Sequence, residues 1–102
     1  VFEAPIDMLS YISMNPHQWQ EHSYVACCGT SPIPVLQMLK LETQIVYLCL
    51  DNDKAGHAAS ERMAELLRER DVMTERLVPE LKDWNDDLLH GQKEDLAPCL
   101  SL

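Results

Sequence analysis

The chain has 102 residues, with 17 acidic against 8 basic side chains, a net charge of −9 and an isoelectric point near 4.6. That length bounds it to one domain with a single core. The acidic balance argues against this segment gripping nucleic acid unaided, because phosphate contacts need lysine and arginine.

Read in order, the chain opens on "VFE", the tail of an apolar strand that begins at Val1 rather than at a methionine. A piece of a longer, multidomain protein is therefore expected, with residues 1–102 as a single domain. "PIDMLSYISM" predicts a helix: Pro5 opens it, Ile6, Leu9 and Ile12 recur at helical spacing, and Pro16 closes it. "HQWQEHS" is a polar linker, and "YVACCG" is a short apolar run ending at Gly29 that suits a buried strand. "SPIPVLQMLKLE" predicts a helix from near Pro34. "QIVYLCL" is the clearest strand, β-branched and aromatic.

The clearest helix is "DKAGHAASERMAELLRERD", with Ala55, Ala58, Ala59, Met63, Leu66 and Leu67 on its apolar face. "MTERLVPE" reads as a last strand, weakened by the charges of Glu75 and Arg76, and "DWNDDLLHG" as a short capped helix ending at Gly91. Strands alternating with helices predict an α/β fold: a parallel four-stranded sheet flanked by helices on both faces.

Cysteines at 27, 28, 49 and 99 and histidines at 17, 22, 57 and 90 show no zinc-site spacing. Three of the four cysteines lie in apolar runs, where a thiol packs as a small hydrophobe. Reduced thiols and a cytoplasmic location are expected. No apolar run approaches the ~20 residues of a membrane span, so no membrane partner is expected.

Chemistry concentrates where the strands end. In parallel sheets the working edge lies beyond the carboxyl ends of the strands. That edge would carry Glu3 after the first strand, Gly29 and Thr30 after the second, and Asp51 and Asp53 after the third. Two carboxylates held about 4 Å apart repel by about 4 kcal/mol at an effective dielectric near 20. Four readings of the aspartate pair compete. A turn with a helix N-cap explains one aspartate and leaves the other. An EF-hand loop fails, because Ala55 and Arg62 stand where ligands belong. An aspartate-nucleophile phosphotransferase leaves Glu3 idle. A Mg²⁺ site on Asp51 and Asp53, with Glu3 as general acid/base or further ligand, uses all three acids.

Taken together, Glu3-Ala4-Pro5-Ile6-Asp7, Cys28-Gly29-Thr30, Asp51-Asn52-Asp53-Lys54-Ala55-Gly56 and Lys82-Asp83-Trp84-Asn85-Asp86 resemble a TOPRIM domain. This is the catalytic fold shared by bacterial primases, type IA and type II topoisomerases and related nucleases. The set is most similar to the primase-like branch, which includes primase-like proteins of plasmids and mobile elements. The resemblance implies Mg²⁺- or Mn²⁺-dependent nucleotidyl or phosphodiester transfer on nucleic acid. Glu3 then matches the catalytic acid/base, and Asp51 and Asp53, with Glu3, match the metal ligands. Asp7, Lys54, Asp83 and Asp86 supply further acidic or phosphate contacts, and Gly29 and Gly56 are structural turns. Two departures stand out: Ala4 replaces a glycine after the glutamate, and Asn85 stands where primases often carry an aspartate. Nucleic acid and nucleotides are the implied partners, reached through neighbouring domains. The competing class is a non-catalytic scaffold that keeps the fold and the metal site.

Overall fold

In the computed structural model, which describes residues 1–17, 19–40 and 42–91, strand β1 (Ile45–Leu48) lies parallel to β2 (Met73–Arg76). Ile45 pairs with Met73 and Leu48 with Arg76. Cys99 and the expected domain end at residue 102 fall outside the described residues.

The expected four-stranded sheet is corrected: among the described residues, regular pairing is confined to these two strands. Two shorter segments extend this pairing in the same sense, the first beside β1 and the second beside the first. The Val1 nitrogen donates to the Tyr47 carbonyl (2.8 Å), and Cys49 N–H donates to the Val1 carbonyl (2.8 Å). Phe2 in turn forms a parallel bridge with Ala26. Neither segment becomes a regular strand. The run at 24–27 is cut short because Cys28 (φ 54°) and Gly29 (φ 140°) turn the chain away. A left-handed residue ends an extended ladder.

Among the described residues four α-helices cover the sheet: α1 (Pro5–Met14), α2 (Ile33–Met38), α3 (Lys54–Arg68) and α4 (84–91). On one side Val35 of α2 and Ala59, Met63 and Leu67 of α3 pack on Leu48 and Leu50, with Cys27 and Val72 closing the core. On the other, Phe2 meets Tyr11 of α1 (ring centroids 5.4 Å apart), and Trp84 of α4 sits edge-on to Tyr11 at 4.9 Å. The Trp84 indole N–H donates to the Cys49 carbonyl at 2.8 Å, so this tryptophan is pinned as part of the packing. Cys27 and Cys49 are buried free thiols and Cys28 is exposed.

Two helix faces differ from expectation. On α1, Ile6 and Leu9 are 57% and 58% exposed, whereas Asp7 and Ser10 turn inward. The inward turn is satisfied by polar bonds to α4, where Asn85 N–H donates to Asp7 Oδ1 (3.2 Å) and Ser10 Oγ bonds to Asn85 Oδ1 (3.2 Å). On α3 the inward face is Gly56, Ala59, Ser60, Met63 and Leu67, while Ala55 and Ala58 face out. Ser60 is tolerated inside because its hydroxyl bonds the Gly56 carbonyl at 2.7 Å. The second helix ends at Met38, short of the run that suggested it.

Candidate functional site

β1 delivers its chain into the core as Leu48, Cys49 and Leu50, all buried, and emerges as Asp51-Asn52-Asp53 before α3 begins. The two aspartates then do different things. Asp53 is the N-cap of α3: its backbone is extended (φ −147°), and its Oδ1 accepts the Gly56 N–H at 2.7 Å. A carboxylate here satisfies an orphan amide and suits the helix dipole.

Asp51 has no such outlet. Its Oδ1 is buried with no hydrogen-bond partner, an exception of the kind that calls for an explanation. Its N–H donates to Glu3 Oε1 at 3.3 Å, so acids from two separate chain segments meet at one edge. Burial, and then the charges of Glu3, Asp7, Asp53 and Asp83, push the Asp51 carboxyl up to about 7. Glu3 is itself placed by Gly29, whose N–H donates to the Glu3 carbonyl at 2.9 Å.

The remaining acids frame this centre. Asp7, only 5% exposed, sits in the first turn of α1. Burial raises its carboxyl, the Asn85 N–H opposes that shift, and Asp83 and Asp86 add to it. Asp83 caps α4 by accepting the Asp86 N–H at 2.8 Å, and Asp86 is exposed. Lys54 is the exposed first residue of α3, and its side chain makes no hydrogen bond or ion pair among the described residues.

The "KDWND" segment is fastened to the aspartate turn through Asn52. Its N–H donates to the Lys82 carbonyl (2.6 Å) and its amide to the Pro79 carbonyl (3.1 Å). Asp87 steadies the same loop by accepting the N–H groups of Glu80 and Leu81. These are contacts that sequence reasoning missed, together with Arg76, whose guanidinium reaches the Asp51 carbonyl at 2.9 Å. The only signal for Arg76 was a basic residue at the carboxyl end of a strand facing an acidic edge.

Among the described residues, no three His, Cys, Asp or Glu side chains are close enough together to form a ready-made metal cage. The donor set nevertheless fits a hard divalent cation. It supplies carboxylate oxygens alone, one of them buried and unpartnered, with more negative charge than local hydrogen bonds absorb. Mg²⁺ keeps several waters and takes one or two carboxylates plus substrate phosphate, so it needs no all-protein cage.

The strain on Asp51 has a measurable consequence. A carboxyl that titrates near 7 in the folded chain and near 3.8 when unfolded binds more protons in the folded state between those values. Stability of the metal-free protein therefore falls as pH rises through that window. Asp51→Asn is expected to raise metal-free stability at pH 8 by about 1 kcal/mol, after discounting for the solvent that screens a partly buried group. Urea unfolding of both proteins at pH 4 and pH 8 checks this. An equal gain at both pH values would show that charge is not the cause.

These features define an α/β domain with an acidic site at its strand ends. The chain belongs to the Toprim-like family, whose profile matches residues 1–88. It is also similar to an uncharacterized protein of Bacillus anthracis (pXO2-78), with 26% identity over 91% of this chain. The chain spans 32% of that relative's length. No solved structure matches it. Membership of the Toprim-like family implies a metal-dependent, nucleic-acid-related function. No helix among the described residues is long and apolar enough to cross a membrane.

Proposed function

We propose that this chain is the catalytic domain of a longer primase-like protein, carrying out Mg²⁺- or Mn²⁺-dependent nucleotidyl or phosphodiester transfer on nucleic acid. The observation that carries the reading is the buried, unpartnered Asp51 Oδ1 beside Glu3. Asp51 and Asp53 would hold the divalent cation, with Glu3 at its border. Such a cation, when bound, offsets negative charge on the phosphoryl group in transfer.

The chain's own residues do the rest. Asp51 is ready to lose its proton near neutral pH when a positive charge arrives. Asp53 keeps one oxygen on the Gly56 amide, so α3 holds that carboxylate in a set orientation. Glu3, held through Oε1 by the Asp51 N–H, takes or gives the proton of the attacking or leaving hydroxyl. With a net charge of −9, the domain leaves most of the grip on phosphate backbone to neighbouring domains.

An NMR titration of the chain with Mg²⁺ tests this, alongside Asp51→Asn and Asp53→Asn. Asparagine caps helices as well as aspartate does, so Asp53→Asn removes charge and keeps the cap. Saturable shifts are expected at Glu3, Gly29 and Asp51 through Gly56, and Asp51→Asn is expected to lose them. Below pH 7 the affinity is expected to fall by up to about tenfold per unit, because binding must displace the Asp51 proton. Shifts that do not saturate, or that persist unchanged in Asp51→Asn, would overturn the reading.

A further inference from the structure

Arg76 is the last residue of β2, opposite Leu48 in the parallel register. Its Nη1 donates to the carbonyls of Leu48 (3.1 Å), Leu50 (2.7 Å) and Leu77 (3.0 Å), and its Nη2 to the carbonyl of Asp51 (2.9 Å). Where a parallel ladder ends, strand carbonyls lose their sheet partners and need other donors. One planar guanidinium supplies them here to Leu50, Asp51 and Leu77, and it adds a second donor to the Leu48 carbonyl, which already accepts the Leu77 N–H at 3.0 Å. The same Nη2 lies 3.4 Å from His57 Nδ1, and His57 Nε2 lies 3.2 Å from Asn52 Oδ1. A neutral ring with its proton on Nε2 satisfies both contacts. Asn52 then reaches the Lys82 and Pro79 carbonyls. The Asp51–Asp53 turn is thus tied to the end of β2 on one side and to the 79–82 loop on the other.

We propose that Arg76 is the positioning residue of the acidic site, fixing the Asp51 backbone so that its carboxylate stays at the edge bordered by Glu3. The proposal rests on the metal-site reading above. Among the described residues the Arg76 Nη groups go to main-chain carbonyls and to His57 Nδ1, its buried Nε has no partner, and no donor goes to a carboxylate, although the charges of Glu3, Asp51 and Asp53 all act on it. It therefore brings a positive charge under the acids while leaving the Asp51 Oδ1 unpartnered. A carboxylate paired directly with arginine would be lost to a cation; one positioned through its own backbone is kept for it. Lysine cannot substitute: a single ammonium can serve the Leu48, Leu50 and Leu77 carbonyls, yet it lacks the second arm that reaches Asp51.

The test uses the 102-residue chain with Arg76→Lys and Arg76→Met, read by amide hydrogen exchange without metal and by Mn²⁺ titration. In Arg76→Lys the amides of Asn52, Gly56 and His57 are expected to exchange at least about tenfold faster, while Met63 to Leu67 of α3 stay within about twofold. The Mn²⁺ dissociation constant is expected to rise about tenfold, in line with the loss of an outer partner of a metal ligand. Should Arg76→Met fail to fold, Arg76→Lys, which keeps the charge and most of the length, carries the test alone. Wild-type exchange at residues 52–57 overturns the proposal, and so does uniform acceleration along α3, which marks a purely structural role. A wild-type chain that binds no Mn²⁺ overturns the metal-site reading instead, and the exchange data then decide on Arg76 independently.

Discussion

Glu3→Gln, placed in the longer protein that carries this domain, is expected to lower turnover by about 10²–10⁴-fold, the span that a positioned acid/base contributes. The geometry makes this substitution unusually clean. Glu3 accepts the Asp51 N–H through Oε1, and a glutamine oxygen can accept the same bond. The Gly29 N–H meets the Glu3 main-chain carbonyl and is indifferent to the side chain. The turn and the fold should therefore survive, with the melting temperature close to wild type. What disappears is the capacity to take up and release a proton. Divalent-metal affinity should fall by less than about tenfold, since Asp51 and Asp53 carry the binding and a neutral oxygen ligand remains. Steady-state assays of primer synthesis and of phosphodiester cleavage, run with Mn²⁺ and Mg²⁺, read the outcome. Full activity in Glu3→Gln would remove the acid/base role and move the non-catalytic scaffold ahead. Lost activity together with lost metal binding would recast Glu3 as a ligand.

Much of this architecture was legible because single residues announce it. Pro5 at the start of α1 and Pro16 just beyond its end bracket a helix observed at Pro5–Met14. The β-branched "IVYL" run is β1 itself. The inward face of α1 was not legible. Helical spacing takes Ile6 and Leu9 as the buried stripe, whereas Asp7 and Ser10 win because α4 offers them Asn85, 75 or more residues away in the chain. The "YVACCG" run has strand composition, yet two consecutive left-handed residues end it after one bridge. At the site, an acid-x-acid sequence at a strand end says that one aspartate caps and the other does not. Only the backbone shows that Asp53 is the cap and Asp51 the strained acid. Arg76 was hidden for a related reason: it weakened the strand reading as a charge, when its partners are main-chain carbonyls that no sequence pattern displays.

Gly56→Ala is expected to destabilise the chain by about 2 kcal/mol or more and to weaken Mn²⁺ binding with it. In an ordinary helix the same change would gain up to about 1 kcal/mol from propensity. Here the new methyl has nowhere to go. A Cβ on Gly56 would overlap the Asp51 carbonyl oxygen and stand 3.0 Å from its carbon and 3.1 Å from the Asp51 nitrogen. Those are main-chain atoms, so relief requires the Asp51 peptide itself to move. The Asp51 carbonyl is held by Arg76 Nη2, and the Asp51 N–H is bonded to Glu3. Displacing them therefore disturbs the capped turn, the arginine clamp and the meeting of the two acids at once. Gly29 offers the contrast. A Cβ there meets nothing within 4 Å, but its φ of 140° is one that L side chains rarely adopt. Gly29→Ala should accordingly cost stability through backbone strain, of order 1–3 kcal/mol, with Mn²⁺ affinity less affected per unit of stability lost. Thermal melts paired with Mn²⁺ titrations separate the two cases. If Gly56→Ala melts like wild type, the close approach of α3 to the Asp51 peptide is not what sets the site's geometry.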